Sequence, residues 1–212
     1  MRIDAVLVAT LTASIGLALV ACESTQSSSN GTAEQDALAR EKEKQEQKAQ
    51  ERATEDAALR AAATTAIERA RRDQPAIEKH FDSCVGYVVF PTIARGGLGI
   101  GAAHGQGVVY ERRSMLPDKV VGTSEVTQVT VGLQIGGQGF SEIIFFEDAK
   151  TLENFKKSNV EFNADASGVA GGEGGTAAAK YENGVAVYVF GEEGFMGAAA
   201  IGGQKFKYKA VS

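Results

Sequence analysis

Large apolar side chains are confined to the C-terminal two thirds of this 212-residue chain. All 10 phenylalanines and all 5 tyrosines lie at or after Phe81, and 23 of the 25 glycines lie after residue 85. A hydrophobic core is built from large apolar side chains, so only the part after about residue 75 can bury one. That part has about the size of one ordinary domain.

The N-terminus is predicted to be a signal peptide. Residues 5–21 are mostly apolar and follow Arg2, and the run of 17 residues is shorter than the ~20 that a bilayer crossing needs. It ends in the string LVAC, which resembles a bacterial lipobox. We therefore predict that residues 1–21 are a lipoprotein signal peptide and that Cys22 carries the lipid. The alternative is a plain signal peptide followed by a chance cysteine.

The predicted anchor also indicates a location. Acyl chains on Cys22, such as palmitate, would hold the protein at a membrane, because each buried CH₂ group contributes ~0.8 kcal/mol. The residue after the cysteine is Glu23, and no aspartate stands there to suggest retention in the inner membrane. The expected location is the bacterial cell envelope, at the outer membrane and facing the periplasm.

A polar spacer separates the predicted anchor from the folded domain. Residues 33–72 are rich in Ala, Glu, Lys, Gln and Arg and contain no Gly, Pro or aromatic residue, which is typical of a helix. Large apolar residues are too sparse for a coiled coil. A single helix would extend ~60 Å, and the alternative is a disordered tether. The predicted organisation is a tether over 22–74 and a domain over 75–212.

Residues 73–209 show the patterns of short helices and of several strands. Asp73-Gln74-Pro75 predicts a helix end and a restart, with Ile77 and Phe81 on one face of a second, short helix. After residue 85 the hydrophobic period becomes two, which indicates strands. The predicted strands cover residues 85–90, 97–103, 107–111, 129–135, 141–147, 184–190, 194–201 and 204–209, with a turn at 104–106 and a helix at 149–157.

These elements predict an α+β fold. It is β-rich, a largely antiparallel sandwich or partly closed barrel, with one or two short helices and a long helical or disordered tether in front.

The string IGGQ occurs twice, at residues 135–138 and 201–204. Glycine-rich strings can bind phosphate when they connect a strand to a helix N-terminus. Neither copy precedes a predicted helix, and no G-x-x-x-x-G-K-[ST] string occurs. The glycines are better explained as bends in two strands.

Catalytic and metal-binding patterns do not emerge from the sequence. His80 and Cys84 stand four residues apart, but two ligands are too few for zinc, and His104 is the only other histidine. No G-x-S-x-G string occurs, and the carboxylates are scattered. We expect no enzyme activity, no catalytic residues, no cofactor and no metal site.

Charge argues against nucleic acid as a partner. Residues 75–212 carry 12 Lys and Arg against 15 Asp and Glu, a net charge of 12 − 15 = −3. Two local basic clusters exist, one within residues 69–79 and one within 205–209. Such clusters suit anionic lipid head groups at ~1 kcal/mol per charge. The alternative is solvated charge, on an exposed helix for the first cluster and on a C-terminal edge strand for the second, where lysine discourages aggregation.

Three long blocks resemble the SYLF domain family. They are VGYVVFPTIARGGLGIGAAHGQGVVYE (85–111), TQVTVGLQIGGQGFSEIIFFED (127–148) and GVAVYVFGEEGFMGAAAIGGQKFKY (184–208). The likeness runs in order over about residues 75–209. Bacterial members are lipoproteins or exported proteins with one SYLF domain. Eukaryotic members are endocytic adaptors and plant FYVE-linked proteins, implicated in binding phosphoinositides and, in fungi, actin.

The resemblance implies phospholipid binding without catalysis. In the family, membrane contact is associated with the segment that opens the domain, here residues 67–81. Anionic phospholipids are the expected ligands, since phosphoinositides are uncommon in bacteria, and actin is not an expected partner of an exported protein. The residues that this implies are Arg69, Arg71, Arg72 and Lys79 at head groups, with Ile67, Ile77 and Phe81 inserting or packing.

A second hypothesis is an envelope protein-interaction or structural module that does not bind lipid through its domain. Its glycine-rich strands would offer an edge for β-augmentation.

Overall fold

A computed structural model describes residues 29–132, 138–157, 161–162, 179–191, 194–197 and 204–211. The chain divides into two compact units, Met1–Ala49 and Gln50–Ser212. The helices are α1 (Ser29–Asp73), α2 (Glu78–Ser83) and α3 (Ala149–Lys157), and a 3₁₀ turn covers Pro75–Ile77. The strands are β1 (Gly86–Glu111), β2 (Lys119–Gly132), β3 (Gln138–Phe146), β4 (Glu161–Phe162), β5 (Val185–Gly191), β6 (Gly194–Gly197) and β7 (Gln204–Ala210).

Several predictions lie outside the described residues. These are the signal peptide at residues 1–21, the lipidation at Cys22 and the paired glycines of both IGGQ strings.

The described strands form one open antiparallel sheet in the order β4-β7-β2-β1-β3-β5-β6. The α+β class, the antiparallel strands and the helix in front of the sheet are confirmed. The sheet is open and not closed. For the spacer the structure selects the helical alternative, since α1 runs from Ser29 to Asp73 without a break.

Strand β1 doubles back on itself. The Arg112 N–H donates to the Val85 carbonyl at 3.0 Å. A Cβ atom on Gly107 would lie 2.7 Å from the Val89 carbonyl oxygen, so the two arms of β1 are side by side. The first arm pairs with β3 and the second with β2.

The predicted turn at 104–106 is wrong, because these residues pair without interruption with residues 125–127 of β2. The glycine at position 105 is explained by close packing. A Cβ atom there would lie 2.8 Å from the Thr92 carbonyl oxygen and 2.9 Å from the Ile93 side chain. The glycine therefore permits close approach between the arms of β1.

Side chains of the central strands alternate between two cores. On one face, called the α1 core, Val89, Ile143 and Tyr188 pack with residues from α1 and α2. On the other face, Val88, Ile144 and Val187 pack with Leu152 and Phe155 of α3. Apolar burial on both faces is the main stabilising contribution of such a sheet.

The face towards α3 is concave. The ring centroids of Phe90 on β1 and Phe206 on β7 lie 5.7 Å apart, although β2 and the second arm of β1 stand between them. Neighbouring strands are spaced ~4.8 Å, so a flat sheet would hold these two strands much further apart. The sheet therefore curls around this face.

Helix α1 contributes to the core from well before residue 75. Ala63 and Ala70 are fully buried in the α1 core, and Leu59 and Ile67 pack against it. The small alanines let the helix backbone approach the sheet closely. The second compact unit begins at Gln50, within the segment predicted to be a tether.

Candidate functional site: a basic helix junction and a buried carboxyl

The junction between α1 and α2 is fixed by buried apolar side chains. The Gln74 N–H donates to the Ala70 carbonyl at 2.9 Å, and the Ile77 N–H donates to the Gln74 carbonyl at 3.0 Å. Ile77 and Phe81 are buried in the α1 core. Of the two roles that the family resemblance allowed them, insertion or packing, the structure shows packing.

Exposed basic side chains lie on the surface of this junction. Arg71 is about half exposed, its Nε lies 3.0 Å from Glu78, and its guanidinium stacks over the Phe81 ring at 4.6 Å. Arg72 is more exposed and pairs with Asp73 at 3.1 Å. Lys79 is exposed on α2. Surface ion pairs contribute only ~0–1 kcal/mol, so these cations are available to exchange a carboxylate for a phosphate.

Arg69 has a second, structural connection. Its Nε lies 3.3 Å from the Asp73 carboxylate, and its Nη2 donates to the Gly191 carbonyl at the end of β5. Its guanidinium is thus engaged between α1 and the sheet. Of the four predicted head-group contacts, the structure brings Arg71, Arg72 and Lys79 to the surface of the junction and holds Arg69 against β5.

A second polar cluster lies on the concave face. Glu142 on β3 is fully buried, and its Oε2 accepts a hydrogen bond from Gln204 Nε2 at 3.0 Å. No group among the described residues hydrogen-bonds to Oε1. Gln128, also buried, pairs with Gln204 in the sheet.

Burial raises the pKa of Glu142 to about 7, and the Gln204 hydrogen bond opposes this only in part. Strands β3 and β7 are not neighbours in the sheet, so the Glu142–Gln204 bond crosses the concave face. It joins the two sides of the curled sheet.

His80 belongs to a buried hydrogen-bond network. Its Nδ1 lies 3.0 Å from the Tyr188 hydroxyl, which accepts a hydrogen bond from the Ala179 N–H at 3.0 Å. Burial lowers the pKa of His80, which favours the neutral ring as acceptor for the tyrosine hydroxyl. Within the described part of the chain, no three His, Cys, Asp or Glu side chains gather as metal ligands.

Cys84 is buried next to this network. Burial raises the pKa of its thiol to about 11. The thiol is therefore protonated at neutral pH, the form that is a poor nucleophile.

Sequence reasoning missed Glu142 and Gln204. A signal for the first was present, because Glu142 alternates with Ile144 and Phe146 and so shares their buried face. Gln204 closes the second IGGQ string, so that string supplies a buried hydrogen-bond donor as well as two glycines.

No family model matches the chain. The chain is 30% identical over 151 residues to Beta cell expansion factor A from Aeromonas veronii, and the match covers 70% of this chain and 55% of that protein. The chain thus resembles a bacterial protein and spans about half of its length. None of the helices described has a stretch apolar and long enough to cross a bilayer.

Proposed function

We propose that this protein is an envelope lipoprotein with a SYLF-type domain that binds phospholipid, with anionic head groups favoured, and does not catalyse a reaction. Three blocks of SYLF-like sequence, the lipobox-like string before Cys22 and the similarity to a bacterial protein support this proposal. The domain would bind one phospholipid surface. The lipid on Cys22 would hold the protein, through the tether, at the membrane that carries the anchor.

One observation carries the proposal: Arg71, Arg72 and Lys79 are exposed on a junction whose other side is buried in the α1 core. Ile77 and Phe81 fix the junction to the α1 core. The backbone that carries these cations is therefore already ordered before it meets head groups. Each charge near an anionic surface contributes ~1 kcal/mol.

Reversing two of these charges is expected to weaken binding to anionic vesicles about tenfold or more. The variant is Arg71→Glu/Arg72→Glu, made in residues 23–212, which keep all described residues and omit Cys22. Binding is measured by co-flotation with phosphatidylcholine vesicles with and without phosphatidylglycerol.

The matched control is Lys44→Glu/Lys48→Glu, two exposed lysines in the first part of α1 that change the net charge equally. Equal losses in both variants would show that only net charge matters. Absence of binding by the unsubstituted chain at every composition would reject phospholipid binding by the domain.

The second candidate is a protein-interaction module, and the edge of β7 favours it. Among the described residues, only Gln204 and Lys205 of β7 pair with β4, whereas all of β7 pairs with β2. A partner strand would add along the edge of residues 207–210. A photo-crosslinker at position 209 that yields one stoichiometric protein adduct, independent of lipid composition, would support this candidate over the first.

A further inference from the structure

The loop between β1 and β2 presents two large apolar side chains to solvent. Met115 is 97% exposed and Leu116 is 61% exposed. They are adjacent and lie at the tip of the loop formed by residues 112–118. Isolated apolar residues on a surface are ordinary, but two neighbours at a loop tip form a small patch that water solvates poorly.

Hydrogen bonds within the loop close its base. Arg113 reaches across it and donates from Nε and Nη2 to the Pro117 carbonyl at 2.9 and 2.6 Å. The Asp118 carboxylate accepts a hydrogen bond from the Tyr87 hydroxyl at 2.8 Å, which ties the base of the loop to β1. These bonds bring residues 113 and 117 together, so Met115 and Leu116 project outward.

Cations flank the apolar tip. Residues 112–119 contain three of them, Arg112, Arg113 and Lys119, and one acid, Asp118, a net charge of 3 − 1 = +2. Arg112 also lies 3.7 Å from Asp82 on α2, where Asp82 is well exposed. An apolar tip with cationic flanks is the pattern by which peripheral proteins enter the interfacial layer of an anionic bilayer.

A short chain of contacts joins this loop to the basic junction. The Arg71 guanidinium stacks over Phe81 at 4.6 Å, and the Phe81 ring meets the Tyr87 ring edge-on at 5.2 Å. Tyr87 in turn binds Asp118 at the base of the loop. The junction and the loop therefore contact the same pair of buried aromatic rings, Phe81 and Tyr87.

We propose that Met115 and Leu116 insert into the interfacial layer of a phospholipid bilayer while Arg113 and Lys119 contact its head groups. The inference rests on the proposed function and identifies the contact that gives binding an apolar component. Electrostatic attraction is screened by salt, whereas burial of apolar side chains is not. The inserted tip should therefore retain part of the binding at high ionic strength.

The first test compares Met115→Ser/Leu116→Ser with the unsubstituted chain of residues 23–212. Vesicles of phosphatidylcholine and phosphatidylglycerol are used at low and high salt. We expect the variant to lose about tenfold or more in affinity at both salt concentrations. The matched control, Leu38→Ser/Val129→Thr, alters two other exposed apolar residues and should bind like the parent.

The second test reports insertion directly. Cys84 is the one cysteine in residues 23–212, and it is buried. The substitution Met115→Cys therefore provides a single accessible thiol for an environment-sensitive fluorophore. We expect its emission to shift to the blue when vesicles are added. The same label at Gln106→Cys, on the exposed face of β1, should not shift.

The outcomes separate the inference from the function on which it rests. Vesicle binding by the parent, unchanged in the tip variant and without a shift at position 115, would overturn the inference and leave the function standing. No binding by the parent at any composition would overturn both. Loss of binding in the tip variant with an unchanged free energy of unfolding, together with the shift, is the expected result.

Discussion

Replacing Glu142 with glutamine is expected to raise the free energy of unfolding by about 3 kcal/mol above about pH 8 and to leave it almost unchanged below about pH 4. Burial raises the pKa of this carboxyl from its ordinary value of 4.5 to about 7. Between these two values the folded chain keeps a proton that the unfolded chain has released. The contribution of this group to the free energy of unfolding is full below about pH 4.5 and is lost as the pH rises through about 7.

Glutamine is neutral at every pH and still offers an oxygen to Gln204. The measurement is urea unfolding of both proteins from about pH 4 to pH 9. The contribution of His80, whose pKa is lowered by burial and which acts in the opposite direction, is present in both and cancels in the difference. Glu125→Gln, at an exposed position of β2, serves as control. A difference independent of pH would contradict the prediction.

Replacing Gly107 with alanine is expected to lower the free energy of unfolding by about 2 kcal/mol or more. The new Cβ atom would lie 2.6 Å from Phe90 Cδ1 and 2.7 Å from the Val89 carbonyl oxygen. Both neighbours are buried, and Val89 belongs to the first arm of β1, which is paired with β3 on its other side. Neither the ring nor the backbone has room to move away.

Gly96→Ala is the matched control. It lies in the same strand, and a Cβ atom there meets no atom of the described residues within 4 Å. Its effect should stay within about 0.5 kcal/mol. Both variants are compared with the parent by urea unfolding monitored by circular dichroism. Equal effects of the two substitutions would show that close approach between the arms of β1 does not constrain residue 107.

Features set by neighbouring residues were predictable from the sequence. The helix ends at Asp73, as the Asp-Gln-Pro string indicates, because proline disfavours helical geometry in the residue before it. The Thr151 N–H donates to the Asp148 carboxylate at 2.9 Å, and this places the start of α3 where the sequence predicted it. The run IIFF is a strand buried on both faces.

Features set by tertiary contact were not predictable in this way. Gly105 looks like a turn residue, but both Gly105 and Gly107 accommodate the other arm of β1, which is distant in sequence. The docking of α1 depends on Ala63 and Ala70, which carry no strong hydrophobic signal. The sequence does not indicate that Gln204 is the hydrogen-bond partner of Glu142, because the two residues meet across the concave face.

Burial of β3 and β5 on both faces has a consequence for the chain before it folds. Their runs IIFF and VAVYVF have no polar side to display, and such windows self-associate readily. Glu142 stands directly before the first run and Glu147 directly after it. At its ordinary pKa of 4.5 an unfolded Glu142 is ionised at neutral pH. Glu142 lowers the stability of the folded domain. In the unfolded chain its negative charge opposes self-association of the adjacent apolar run.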